Sequence, residues 1–167
     1  MDDKDLIKRA RDGDKEAFAK LYIKHKDSLY RYAYFKLRSV DDAGDAVSAC
    51  IVQAYMGIAS LKNEKAFSSW LFRILYRECC AVIKRRADYG TPDELSGNEQ
   101  VLPDNTYLAP ELCEALDILS SEDREIVLLS AVAGYNSREI SKMLNINPAT
   151  VRSKLSRGLN KMRNFLE

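Results

Sequence analysis

The sequence predicts an all-α protein made of two small helical domains, an N-terminal helical bundle and a C-terminal helix-turn-helix, joined by a flexible acidic linker. Three observations carry this. No stretch alternates polar and apolar residues with period two, whereas apolar residues recur at three- and four-residue steps through most of the chain. That pattern lapses between Asp88 and Tyr107, where DYGTPDELSGNEQVLPDNTY holds two Gly, two Pro and no Lys or Arg. Charge follows the same division: residues 1–87 carry 18 Lys/Arg against 12 Asp/Glu, residues 88–120 none against 8, and residues 121–167 8 against 5. The formal net charge of +1 therefore conceals a basic, acidic, basic plan. A chain of 167 residues suits two small domains, which we place at 1–87 and 109–167 with the linker at 88–108.

Several function classes are excluded at this level. No run approaches the ~18 uninterrupted apolar residues of a membrane span, so no membrane insertion is expected. The opening MDDKDLIKRARDGDKEAF is charged throughout and is no signal peptide. Cys50, Cys79, Cys80 and Cys113 lack metal-ligand spacing and His25 is the only histidine, so neither a metal site nor a cofactor is expected. Four scattered thiols suit a reducing, cytoplasmic setting. Nothing assembles a nucleophile with a base or a phosphate-cradling glycine loop, so no enzyme is expected.

Taken in order, a first helix is expected from Asp3, as N-cap, to Arg11, with Leu6, Ile7 and Ala10 inward. Asp12-Gly13-Asp14 breaks it, and Asp14 caps a second helix in which Phe18, Leu21, Tyr22, His25, Leu29, Tyr32, Ala33 and Leu37 form the apolar stripe. Ser39 or Asp41 opens a third, with Val40, Val47, Ile51, Ala54, Tyr55 and Ile58 inward; its acidic start favours the helix dipole. SLKNEK, residues 60–65, reads as a short polar loop. The fourth helix, about Ala66 to Arg86, carries an apolar arc of Phe67, Trp70, Leu71, Ile74 and Val82. Beside it Arg73, Arg77 and Lys84 share one side. Aromatics next to cations suit single-stranded nucleic acid, stacking bases and neutralising phosphates. Phe67 and Trp70 fit a purely core role equally well. Glu78 falls within the arc with no partner evident in the sequence.

After the linker, Leu112, Ala115, Leu116 and Leu119 mark one helix. A second spans Ser121 to Ala133, with Glu122 and Asp123 in its first turn, and Gly134 ends it. Residues 135–165, YNSREISKMLNINPATVRSKLSRGLNKMRNF, then read as two helices about a tight turn. Asn136 caps the first, Asn145 takes a left-handed position, and Asn147 caps the second with Pro148 at its first position. Val151, Leu155, Leu159 and Met162 fall inward. Thr150, Arg152, Ser153, Lys154, Ser156 and Arg157 occupy or flank the outward face, basic and small enough to enter a major groove.

These segments resemble the extracytoplasmic-function sigma factors, the small two-domain class within the sigma-70 family of bacterial RNA polymerase subunits. LIKRARDGDKEAFAKLYIKHKDSLYRYA is similar to the family's opening helices, DDAGDAVSACIVQAY to its core-polymerase-binding helix and AFSSWLFRILYRECCAVIKRR to its promoter-melting helix. LSSEDREIVLLSAVAGYNSREISKMLNINPATVRSKLSRGLNKMR is similar to its promoter-upstream reader. The resemblance implies that Asp45, Ser48 and Gln53 engage the beta-prime clamp helices of core RNA polymerase, whose beta flap is a further contact. It implies that Lys62, Asn63, Phe67, Trp70, Arg73 and Arg77 meet the unpaired minus-ten strand of promoter DNA, and that the outward face named above reads the minus-thirty-five element. An anti-sigma factor is expected as a further partner. Two other readings stay open on the residues alone: a regulator binding duplex DNA without polymerase, and a helical adaptor whose basic faces are incidental.

Overall fold

The computed structural model describes residues 2–89 and 110–167, and among them every regular element is helical. They form two compact units. No described helix is long and apolar enough to cross a membrane. Of the expected linker, Asp88 closes a helix and Tyr89 caps it, while the remainder lies outside the described residues.

In the first unit, α1 (Asp3–Arg11) buries Leu6, Ile7 and Ala10; Asp2, rather than Asp3, precedes its first turn and makes no side-chain cap. Gly13, at φ +99°, turns the chain. Asp14 then caps α2 (Lys15–Leu37), accepting from the backbone N–H of Glu16 at 3.0 Å and of Ala17 at 3.1 Å. The Ala17 bond first, and the Arg9 guanidinium second, hold the Asp14 carboxyl below the usual carboxylate range. Ser39 caps α3 (Val40–Gly57) by accepting from Asp42 N–H at 3.1 Å. Two short 3₁₀ turns, Ile58–Ser60 and Glu64–Ala66, lead into α4 (Phe67–Asp88).

Helices α2, α3 and α4 pack on one another, while α1 lies across α2 and the two short turns. Leu21, Leu29, Tyr32, Leu37, Val47, Leu71 and Leu75 are fully enclosed, each apolar side chain contributing about 1.5–3 kcal/mol of burial. The inner face of α3 differs from expectation. Ala43, Ala46 and Cys50 join the expected Val47 and Ala54 there, because small residues let α2 and α4 approach, while Tyr55 is 42% exposed and only edges against Phe18 at 5.2 Å. His25 is a packing residue: its Nδ1 lies 2.9 Å from the Leu21 carbonyl and its ring stands edge-on to Phe67.

The second unit contains α5 (Pro110–Asp117), α6 (Ser121–Val127), α7 (Ser137–Leu144) and α8 (Pro148–Leu166). Ser120 caps α6, accepting from Asp123 N–H at 3.1 Å. The Arg124 guanidinium donates to the carbonyls of Leu116 and Leu119 at 3.0 and 3.1 Å, closing the α5–α6 corner. The single helix expected from Ser121 to Ala133 instead changes pitch. Leu128–Val132 form a π turn, in which Ala133 N–H reaches back five residues to the Leu128 carbonyl at 3.1 Å. Gly134, at φ +82°, then releases the chain. Ala115, Leu116, Ile126, Leu129, Ile140 and Val151 fill the core. Gly158 lets α8 come close to α6, since a Cβ there would stand 3.1 Å from Val127.

Candidate nucleic-acid interface

The helix-turn-helix is built by local chemistry. Asn136 and Glu139 form a reciprocal capping box, with Glu139 N–H donating to Asn136 and Asn136 N–H to Glu139, both at 2.9 Å. Asn145 sits at φ +58° and ends α7. The Ser141 hydroxyl donates to the Ile146 carbonyl, locking the turn, and Asn147 accepts from Ala149 N–H at 2.8 Å at the start of α8. Val151 and Gly158 are buried, so α8 can present only its opposite side. Thr150, Arg152, Ser153, Ser156 and Arg157 are all exposed there.

Lys154 departs from the expected set. Its ammonium lies 2.7 Å from Glu122 and 3.7 Å from Asp123, in the first turn of α6. At 100° per residue it falls about 60° from Val151 and about 100° from Ser153, which carries it towards the packed side. The side chain of Asp123 is largely buried and its Oδ1 has no hydrogen-bond donor, so Lys154 supplies its compensating charge. The Glu122 hydrogen bond, ahead of the Coulombic pull of both carboxylates, raises the Lys154 pKa.

In the first unit, Arg73 and Arg77 project from α4 into solvent. Phe67 is buried, whereas Trp70 is half-buried with its ring tilted against Phe67 at 6.0 Å. Of the two aromatics, only Trp70 offers surface for stacking. Gly57 lies beside it: a Cβ there would stand 3.5 Å from the Trp70 ring, in ordinary van der Waals contact. The expected loop is more ordered than its composition suggested: Leu61 is buried, and Asn63 caps the second 3₁₀ turn by accepting from Lys65 N–H at 3.0 Å. Lys62 and Asn63 remain exposed between these anchors.

On α3, Asp45, Ser48 and Gln53 are exposed, but they do not form one stripe. Gln53 donates its amide to Glu78 of α4, giving that carboxylate the partner that the sequence left unnamed. The outward stripe continues instead through Val52 and Met56, 58% and 77% exposed, which lie within about 80° of Asp45 and Ser48. Sequence reasoning missed both. The signal was present: an apolar pair four residues apart on the side facing away from the inward set.

The chain matches Sigma-70 region 2 over residues 21–88 and Sigma-70 region 4 over residues 111–162. It is 30% identical to the ECF RNA polymerase sigma factor SigW of Bacillus subtilis, over 98% of this chain and 96% of that one. It belongs to the ECF RNA polymerase sigma factors. SigM of Mycobacterium tuberculosis is likewise 30% identical, over 87% of this chain and 74% of its own length. Two solved structures share the fold at 22% identity: CnrH in complex with the cytosolic domain of CnrY, with a TM-score of 0.70 over 98% of this chain and 96% of that one, and RpoE of Bartonella quintana in complex with the anti-sigma factor NepR, with 0.68 over 89% and 96%. Within this sigma factor, the region 2 match takes in α3, the Leu61–Lys65 loop and α4, and the region 4 match takes in the helix-turn-helix. Membership in the family does not favour a duplex-binding regulator that works without polymerase.

Proposed function

We propose that the protein binds core RNA polymerase and directs it to promoters through two separate reading faces. The observation that carries this is their pairing in one chain: a basic helix bearing a half-exposed Trp70 in the region 2 match, and a capped helix-turn-helix with a free outer face in the region 4 match. Residues 1–87 would bind polymerase, through Asp45, Ser48 and the neighbouring Val52 and Met56, and the minus-ten strand, through Lys62, Asn63, Trp70, Arg73 and Arg77. Residues 109–167 would read the minus-thirty-five element. There Arg152 and Arg157 reach base edges or phosphates while Ser153 and Ser156 let the helix approach closely. Residues 88–108, with no basic side chain, join the two. The protein works as a non-catalytic subunit in the cytoplasm. The NepR complex of RpoE supports an anti-sigma factor as its regulator, one that covers these same faces.

Transcription in vitro with purified core polymerase on a genomic DNA library tests the proposal. The expected result is a small set of discrete start sites that appear only when the protein is added. A transcript pattern identical to that of core polymerase alone refutes it.

A further inference from the structure

The loop assigned above to the minus-ten strand is held from a helix that lies outside the region 2 match, which begins at residue 21. At the C-terminal end of α1, Arg11 donates Nη1 to the Leu61 carbonyl and Nη2 to Glu64 Oε1, each at 2.8 Å. The Arg11 and Glu64 side chains are only 23% and 20% exposed. The backbone hydrogen bond at Glu64 first, and then the positive charges of Arg11, Lys8 and Lys4, hold its carboxyl below the usual range. Lys4, Lys8 and Arg11 recur at four- and three-residue steps, so α1 turns one cationic row towards the loop.

The guanidinium is planar and its two donors are fixed relative to each other, so a two-point grip on Leu61 and Glu64 sets both the distance and the orientation between them. Lys62 and Asn63 are the two residues between the gripped points, and both are exposed. Below the grip, Leu61 is buried and its N–H bonds to Ile58 at 3.0 Å. Without the grip the segment would keep its apolar anchor but regain the freedom of its polar half. A fixed loop rejects a wrong base because it cannot move to relieve the misfit, whereas a loose one adapts to several bases.

We propose that Arg11 is a specificity-determining positioning residue, which preorganises Lys62 and Asn63 for one minus-ten base sequence without itself touching DNA. This rests on the assignment of Leu61–Lys65 to the minus-ten strand.

The test uses full-length protein reconstituted with core polymerase on a promoter found by the transcription experiment above, with each minus-ten and minus-thirty-five base changed singly. For Arg11→Ala, discrimination between the cognate and substituted minus-ten bases is expected to fall roughly tenfold at one or more positions, the scale of one good base contact. Its minus-thirty-five profile stays unchanged. Arg11→Lys, which keeps the charge and one donor point, should recover part of the discrimination. Glu64→Gln should lose part of it. If Arg11→Ala, or Glu64→Gln where Arg11→Ala does not fold, yields a wild-type minus-ten profile, the proposal is overturned. A uniform loss at all bases with a lowered Tm also overturns it, because a merely structural arginine would act that way. Lys62→Ala with Asn63→Ala separates the two levels of inference: if that double variant leaves the minus-ten profile untouched, the loop assignment itself fails, and the role of Arg11 with it.

Discussion

Replacing Lys154 with Ala should leave the salt dependence of upstream-element binding where it was, although lysine is the residue type most readily assigned to phosphate. The ammonium is engaged with Glu122 and Asp123, and its position on α8 turns it towards α6. A cation neutralised within the protein releases no counterion from DNA. A cation that meets a phosphate contributes about 0.9 to the slope of log K against log salt, so one such contact weakens binding about 3.5-fold between 50 and 200 mM salt. The assay is a salt titration of a minus-thirty-five duplex by fluorescence anisotropy for wild type and the Lys154→Ala, Arg152→Ala and Arg157→Ala variants. Each arginine variant should lower the slope by about 0.9 for a phosphate contact. Lys154→Ala should leave the slope unchanged and lower Tm instead, since it strips the largely buried Asp123 of its compensating cation. A Lys154→Ala slope reduced as much as that of Arg152→Ala would refute the reasoning and return Lys154 to the DNA face.

Other outcomes follow from single contacts. Gly158→Val should destabilise the protein by about 1–3 kcal/mol in urea unfolding, because Val127 already stands 3.1 Å from where a Cβ would sit. Asn145→Ala should cost about 1 kcal/mol at its left-handed position while Asn145→Gly should not, a contrast that unfolding curves will show. Cys50 should resist a thiol reagent at pH 8 in the native state and react on unfolding, since burial first and Glu78 second push its thiol up to about 12. Because the folded pKa is raised, the Cys50 contribution to stability is intact below the ordinary thiol value of 9.0 and is lost as pH rises from there towards about 12. The C50S variant should show a shallower loss of stability across that window.

Most of the C-terminal unit was legible because its signals are local. Asn136, Asn145, Asn147 and Pro148 each act within three or four residues of their own position, and each stands where the sequence placed it. What escaped depends on pairs far apart in the chain. Gln53 meets Glu78 and Arg11 meets Glu64, across 25 and 53 residues, and only the tertiary packing of α1, α3 and α4 creates those encounters. Lys154 shows a related effect. Its spacing left it at the border of two faces, and the carboxylates of α6 decided between them. The inner face of α3 was misread at Tyr55 because a large aromatic scores as core by hydropathy, whereas Ala43, Ala46 and Ala54 achieve the close helix approach. Ser120 and Ser121 are equivalent as sequence, and only the hydrogen bond to Asp123 shows which one caps.

The π turn at Leu128–Val132 bears on how this unit can change length. A π turn holds one residue more than an α turn for the same advance around the axis, so the helix carries an insertion already absorbed between Val127 and Ala133. Deleting one residue there restores the ordinary four-residue ladder while leaving Ile126 and Tyr135 on their present sides. The same deletion within α7 would rotate the remainder of that helix by about 100° and displace the turn that leads into α8. Tolerance to insertion and deletion in the second unit is therefore concentrated at one mid-helix turn, upstream of the DNA-reading pair.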